Sequence, residues 1–306
     1  MEALGWWGVP LAVLGGAIRA STPFLFVSLG ECLTEKSGRI NLGLEGTLVM
    51  GAMSAYGISY LTGWPWLGVL VAGLSGVGLG AIHASVCARP RVNDIAVGIA
   101  LMLFGLGLAF YLGKPFIHPR APRLPAIPLG WWSGSSAVRA ALEVNALFII
   151  GAALAPVMLW GLHNTRWGLA VRAVGDNADA ARTMGYAVTR VRLLSTVAGG
   201  FLAGVGGSFL SLYYPGSWNE AISSGQGLMA VALVIFARWD PMLCLLAALL
   251  FGGASALGPA LQSVGVTGGY YLFNAAPYVL TLLIMIATSS TRRTLVGAPG
   301  ELSVTK

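Results

Sequence analysis

Apolar runs recur along the chain, each bounded by short clusters of Lys, Arg, Asp, Pro and Gly. A hydrocarbon core about 30 Å thick takes ~20 apolar helical residues to cross. The runs at about 13–34, 41–62, 65–88, 93–112, 143–162, 193–213, 221–237, 241–258 and 271–290 reach or approach that length. The pattern predicts an all-α integral membrane protein, a polytopic helical bundle of about nine transmembrane helices. The range is about eight to ten, because Gly- and Pro-broken runs can be short or re-entrant. Residues 1–306 form one transmembrane domain on this reading. Its start has two solutions: one crossing, or an interfacial segment over 4–16 anchored by Trp6 and Trp7 with the first crossing beginning near Arg19. The N-terminus lacks a basic stretch and a small-x-small cleavage site, so it is not read as a removed leader.

The polar connections supply orientation. Lys36, Arg39, Arg89, Arg91, Arg166, Arg172, Arg182, Arg190, Arg192, Arg238, Arg292, Arg293 and Lys306 fall on one side. Lys114, Arg120, Arg123 and Arg139 fall on the other, and Arg19 lies inside the first run. Basic connections stay in the cytoplasm, so the C-terminus is expected to be cytoplasmic and the N-terminus outside. Two connections are long: an outer one at about 113–142, whose prolines forbid a regular helix, and an inner one at about 163–192. Trp131 and Trp132 in the outer loop suit interfacial anchors.

Composition strengthens the membrane reading. The 306 residues are 56% hydrophobic and 9% charged, with a mean hydropathy of +0.77; soluble domains carry about 25% charged residues. The net charge of +7 follows from the basic cytoplasmic loops and calls for no nucleic acid. Forty-three glycines suit close helix–helix approach in lipid, and Gly76/Gly80 and Gly200/Gly204 have G-x-x-x-G spacing. Cys32, Cys87 and Cys244 lie singly in apolar runs and read as packing residues. His83, His118 and His163 are scattered, so no metal site is expected.

The inner loop reads HNTRWGLAVRAVGDNADAARTMGYAVTRVR. Asp176 and Asn177 are N-cap candidates and Gly185 suits the position after a helix, leaving ADAARTM as about two turns. So short a helix needs a surface to pack against. Ala180, Ala181 and Met184 would give it a small, smooth face, ringed by Arg172, Arg182, Arg190 and Arg192. Two readings fit: a helix docked into a partner protein, or an amphipathic helix on anionic headgroups.

The run GLAVRAVGDNADAARTMGYAVTRVR resembles the coupling-helix loop of ABC-importer permeases of the branched-chain amino acid, ribose and nucleoside group. LTEKSGRINLGLEGTLVMGAMSA at 33–55 resembles the second-helix signature of nucleoside and simple-sugar permeases, and GLMAVALVIFARWDP at 227–241 their later short helix and turn. The resemblance implies a permease subunit of an ATP-driven, binding-protein-dependent importer for nucleosides or related small polar solutes, working by alternating access. It also implies a bacterial-type cytoplasmic (inner) membrane location, a separate ABC ATPase holding ATP and Mg, a second permease subunit (paralogue or self) and an external solute-binding protein. Arg172, Asp176, Asn177, Ala180, Ala181, Arg182, Met184 and Gly185 are then the ATPase-coupling residues. Met102 departs from the family, where Asn is common, which leaves the solute in question. The chain has no G-x-x-x-x-G-K-[ST] run, and its single Gly-Lys pair, Gly113-Lys114, precedes Pro. ATP hydrolysis on this chain is not expected, nor any cofactor.

Ionisable residues inside a membrane need a reason. Glu45 lies about 9 Å into the second run at 1.5 Å per residue, after Asn41 and Gly43 in INLGLEG, where a loosened helix exposes backbone to a cavity. Asn41, Gly43 and Glu45 therefore either shape the gate or path, or Glu45 pairs with a neighbouring helix or caps a break. Glu31 and Asp94 sit near inner helix ends and suit the interface. Asn93, Asn274 and Gln226 are further candidates for the solute path or for interhelical hydrogen bonding. Tyr213, Tyr214, Pro215 and Trp218 either receive solute or binding protein, or form an aromatic belt. A simple-sugar ABC permease is the alternative solute assignment. An ion-coupled secondary transporter is a further alternative, but it usually carries titratable groups near the midplane, which are sparse here. No nucleophile–base or metal constellation supports an enzyme.

Overall fold

The computed structural model describes residues 8–117, 119–265, 275–288 and 297–303. Its helices are α1 (Gly8–Lys36), α2 (Leu44–Thr62), α3 (Pro65–Cys87), α4 (Asp94–Gly113), α5 (Ser136–Ala141), α6 (Ala146–Asn164), α7 (Arg166–Asp176), α8 (Ala178–Thr183), α9 (Val188–Leu212), α10 (Gln226–Phe236), α11 (Pro241–Gln262), α12 (Ala276–Thr288) and α13 (Gly300–Ser303). A 3-10 turn, Lys114–Phe116, continues α4, and two short strands, β1 (Ala126–Pro128) and β2 (Glu143–Asn145), pair antiparallel with Ile127 opposite Val144.

Local chemistry sets the helix boundaries. Side chains of Asn93, Asn145, Thr165, Asn177 and Asp240 accept backbone N–H groups at the starts of α4, α6, α7, α8 and α11. Pro65 and Pro241 sit in first turns, where the missing N–H has no intrahelical partner to lose. Gly63, at φ 75°, closes α2 by returning its N–H to the Ser59 carbonyl.

Among the described residues six helices are long and apolar enough to cross a membrane: α1, α3, α4 with its 3-10 continuation, α6, α9 and α11. The protein is thus a polytopic helical membrane protein, with fewer qualifying helices than the nine read from sequence. The difference lies in three places. α2 has 19 residues, but Glu45, Thr47, Ser54 and Ser59 dilute its apolarity. It is mostly buried in the bundle, where neighbouring protein replaces lipid and polar groups find partners. α10, with 11 residues, reaches only about 16 Å. The run at 271–290 has 13 described helical residues in α12. α1 runs unbroken from Gly8, so residues 8–16 belong to the first helix; Trp6 and Trp7 lie outside the described residues.

The core is built on α1 and α9, buried along α1 from Ser21 to Glu35 and along α9 from Ala203 to Leu212. α4 and α6 are largely exposed, as lipid-facing helices are. At the α3–α9 crossing the two G-x-x-x-G pairs face each other. A β-carbon on Gly76 would strike the Gly200 carbonyl, and one on Gly200 the Gly76 carbonyl. At one end of the bundle the Tyr56 hydroxyl donates to the Pro119 carbonyl (2.8 Å) and the Ser59 hydroxyl to that of Pro122 (2.7 Å). Trp218 is buried there and donates to the Gly113 carbonyl at 2.9 Å, so it is an internal tie rather than part of an aromatic belt. Arg19, inside α1, directs its guanidinium to the Ala140 carbonyl of α5 at the same end.

Candidate functional site

The segment 163–192 lies at the opposite end of the bundle and forms α7 and α8 with a tight turn after each. Of the two N-cap candidates Asn177 does the capping, its Oδ1 accepting the Ala180 N–H at 2.9 Å. Gly185, at φ 87°, follows the helix, and the Met184 N–H returns to the Ala180 carbonyl at 3.2 Å. One face of α8 packs inward: Ala178 and Ala181 join Val174 and Val188 in a small apolar cluster. Ala181 is fully buried, so the smooth outward face expected from Ala180, Ala181 and Met184 consists of Ala180 and Met184 only. A six-residue helix cannot hold itself, and the methyl of Ala181 is what seats it on α7 and α9. Asp176 and Arg182 are exposed, and Arg182 pairs with Asp179 at 2.7 Å across one exposed turn, a contact worth little in water. Arg172 is half-buried.

A residue no sequence reading singled out fixes the start of α8. Glu301, on α13, accepts the Ala178 N–H on Oε1 (2.9 Å) and the Arg192 guanidinium on Oε2 (3.0 Å). Arg192 also donates from Nε to the Ser37 carbonyl, 3.1 Å away at the end of α1. The Glu301 carboxylate therefore ties α8 to α9, and Arg192 carries the tie on to the end of α1. Charge-assisted hydrogen bonds contribute about 1.5–3 kcal/mol. Glu301→Gln is accordingly expected to raise hydrogen exchange at the Ala178–Ala181 amides about tenfold or more, measured by mass spectrometry, without changing exchange in α11.

The second constellation surrounds Glu45 in the first turn of α2. Its Oε1 accepts the Ser223 hydroxyl (2.5 Å) and the Gly225 N–H (3.1 Å), and its Oε2 the N–H groups of Gly227 (2.6 Å) and Leu228 (3.3 Å). The carboxylate thus sits on the N-terminus of α10, where free N–H groups and the helix dipole favour negative charge. Gly227 allows the approach, since a β-carbon there would lie 2.7 Å from Glu45 Cα. Asn41 precedes it in the α1–α2 turn. Its N–H donates to Glu31 at 2.7 Å and its Oδ1 accepts the Gly43 N–H at 2.9 Å. Glu35, one turn beyond Glu31, receives the Trp239 indole N–H, and the Cys32 thiol meets the Trp239 carbonyl at 3.1 Å. Glu31 and Glu35 are therefore buried inside the protein rather than interfacial.

Asn41, Gly43 and Glu45 come together with Ser223 and Gln226 where α1, α2 and α10 meet. Gln226 opens α10 with a buried, unpartnered Oε1. Asn93 stands apart: it is exposed and caps α4 through Ala96 at 3.1 Å. Asp94 pairs with Arg39 at 2.6 Å. Asn274 lies outside the described residues, as do His118, Arg292, Arg293 and Lys306. Met102 contributes its carbonyl to the close approach of α4 to Gly46. Ser223 escaped sequence reading because a lone Ser before an apolar run signals a helix start without naming the acceptor.

Comparison with known proteins adds the family. The model of the branched-chain amino acid transport system permease component matches residues 5–289. The guanosine ABC transporter permease protein NupQ of Bacillus subtilis is 30% identical over 288 residues, 87% of this chain and 88% of its own. The nucleoside ABC transporter permease protein NupC of Lactococcus lactis is 29% identical over 281 residues, again 87% and 88%. TsgC13 of Haloferax volcanii, provisionally named a glucose ABC transporter permease protein, is 33% identical over 260 residues, 83% of this chain and 79% of its own. A match over nearly the whole length, on a polytopic helical bundle, makes this chain a member of the branched-chain amino acid transport system permease family, a translocation subunit rather than an enzyme.

Proposed function

We propose that this chain is a permease subunit of an ATP-driven importer for nucleosides, working by alternating access. The observation that carries the solute class is its similarity to the guanosine and nucleoside permeases across 87% of its own length. A simple sugar is the second reading, supported by the similarity to TsgC13. α8 is the coupling helix: capped at its start, seated by Ala178 and Ala181, and presenting Ala180 and Met184 outward. The partners are a separate ABC ATPase carrying ATP and Mg, a second permease (paralogue or self) and an external solute-binding protein. The α7–α8 end, rich in Arg, faces the cytoplasm and takes the C-terminus with it; Glu301 at that end supports this orientation. α2 crosses as a central helix, and α10 is a half-length helix whose start, at Glu45, Asn41 and Gln226, lines the solute gate.

The test is reconstitution in lipid with the ATPase and binding protein, measuring ATP hydrolysis. Loaded binding protein with a nucleoside is expected to stimulate hydrolysis, and glucose to leave it unchanged; the opposite pattern assigns the sugar. Solute movement down an ion gradient without any ATPase overturns the reading. Ala180→Arg is expected to cut stimulated hydrolysis at least about fivefold while the complex stays folded, because a long cation replaces a methyl on the docking face. Ala181→Arg is the wrong probe, since it places a charge in the apolar cluster and disrupts the loop itself. Undiminished coupling in Ala180→Arg removes α8 from the docking role.

A further inference from the structure

A cavity of about 100 Å³ lies between the last turn of α3, α8 and the first turns of α9. Arg39, Arg182 and Arg192 line it, together with His83, Thr189 and Thr196. His83 and Thr196 are each 1% exposed, yet neither imidazole nitrogen nor the Thr196 hydroxyl has a hydrogen-bond partner. The Ile40 backbone interacts with His83, so of the two the Thr196 hydroxyl is the buried group with no such neighbour among the described residues. Buried polar groups left this way are costly unless something occupies the space they face.

The charges narrow the occupant. Each guanidinium already meets a carboxylate: Arg39 meets Asp94, Arg182 meets Asp179 and Arg192 meets Glu301. Those contacts use one nitrogen each, and Arg192 gives a second to Ser37. A guanidinium carries five N–H donors, so among the described residues all three keep donors without a partner. None of the three carboxylates lines the cavity. The lining side chains among the described residues therefore offer N–H and O–H donors and positive charge, with Asp94 set behind Arg39 and Cys87 as their counter-charge. Planar Arg forks match the oxygens of a phosphate. The volume holds an anion of that size, whereas pockets for whole small-molecule ligands run to about 300–1,000 Å³.

We infer that this cavity is a phosphate-binding site, distinct from the solute gate, that takes either a free phosphate or the headgroup phosphate of an anionic lipid. Bound there, a phosphate bridges Arg182 on α8 to Thr196 and Arg192 on α9 and holds α8 against the bundle. The assignment does not depend on what α8 docks against.

The test uses the purified full-length chain in detergent. Inorganic phosphate is titrated against potassium chloride of equal ionic strength, following the thermal unfolding midpoint. The lipid arm places the chain in phosphatidylcholine nanodiscs with and without one-tenth phosphatidic acid, then measures retained lipid by native mass spectrometry. Arg182→Ala removes an exposed side chain and Thr196→Val is isosteric, so both variants fold. A saturable rise with phosphate, weakened at least tenfold in both variants, identifies a free-phosphate site. Retention of phosphatidic acid, lost in both variants while phosphate has no effect, identifies a lipid-headgroup site. No saturable response in either arm overturns the inference. So does a response that the two variants leave unchanged.

Discussion

Replacing Glu45 with Ala is expected to lower the stability of the folded chain by about 3–5 kcal/mol, an effect of roughly a hundredfold to several thousandfold on the folding equilibrium. The carboxylate accepts four hydrogen bonds, three from backbone N–H groups at the start of α10. Alanine leaves those donors facing a space that water reaches poorly, because Glu45 is only 5% exposed. The contact also carries long-range order, since Ser223 lies 178 residues along the chain from Glu45. α10 is then free to swing from its seat against α1 and α2. Two further variants separate the contributions. Ser223→Ala removes one charge-assisted bond and is expected to cost about 1.5–3 kcal/mol. Glu45→Gln keeps one acceptor oxygen, turns an amide N–H₂ toward the remaining donors and falls between the two. Thermal or denaturant unfolding in a fixed detergent reads all three. A Glu45→Ala midpoint equal to wild type would show that α10 is held by apolar packing alone. If Glu45→Gln folds normally but no longer transports, the carboxylate belongs to the gate as well as to the cap.

These same residues show what a sequence can and cannot disclose. α8 was legible because its signals are local: Asn177 caps an amide three residues on, and Gly185 supplies the left-handed turn that ends it. Which of the adjacent alanines turns inward was not legible, because Ala180 and Ala181 are chemically identical and about two turns give too short a pattern to separate them. Ala181 went to the interior because Val174 and Val188 are there. The gap between nine runs and six qualifying helices has a related origin. Hydropathy measures what lipid tolerates, and α2 is sheltered from lipid by its neighbours, so its composition understates its burial. Glu45 was recognisable as a charge in need of a reason, and pairing with a donor of a neighbouring helix was one of the readings left open. The donors were invisible because they are backbone groups brought close only by the fold. Glu301 lay beyond reach for the same reason: nothing in Pro-Gly-Glu-Leu announces that the carboxylate will start a helix 123 residues away. Asn93 looked like a membrane polar residue, but an Asn three residues before a paired amide is equally an N-cap, and its exposure decides for the cap.

The glycine pairs are where sequence spacing and structure meet most directly, and they carry the second large prediction. With 43 glycines in the chain, G-x-x-x-G spacing arises readily by chance. What singles out Gly76 and Gly200 is reciprocity, because each occupies the space that the other's β-carbon would need. Without a side chain on either, the α3 and α9 backbones reach van der Waals contact, which is the source of helix association where lipid removes the hydrophobic drive. Gly76→Ala is expected to destabilise by about 1–3 kcal/mol, since a methyl pressed against a carbonyl in a rigid helix has nowhere to move. Gly200→Val adds two further carbons to the same wall and is expected to cost about 3 kcal/mol or more, enough to leave little folded protein in detergent. The double variant should cost less than the sum, because the first substitution already opens the crossing that the second would open. Gly78 is the internal control. It lies on the same helix with no atom within 4 Å of its would-be β-carbon, so Gly78→Ala should be neutral, or stabilising by up to about 1 kcal/mol through helix propensity. Equal midpoints for Gly76→Ala and Gly78→Ala would mean that the two helices pack through their flanking side chains. A loss confined to Gly76 and Gly200 would place the stability of the bundle at this backbone contact, with α2 and α1 packed against the other faces of α9.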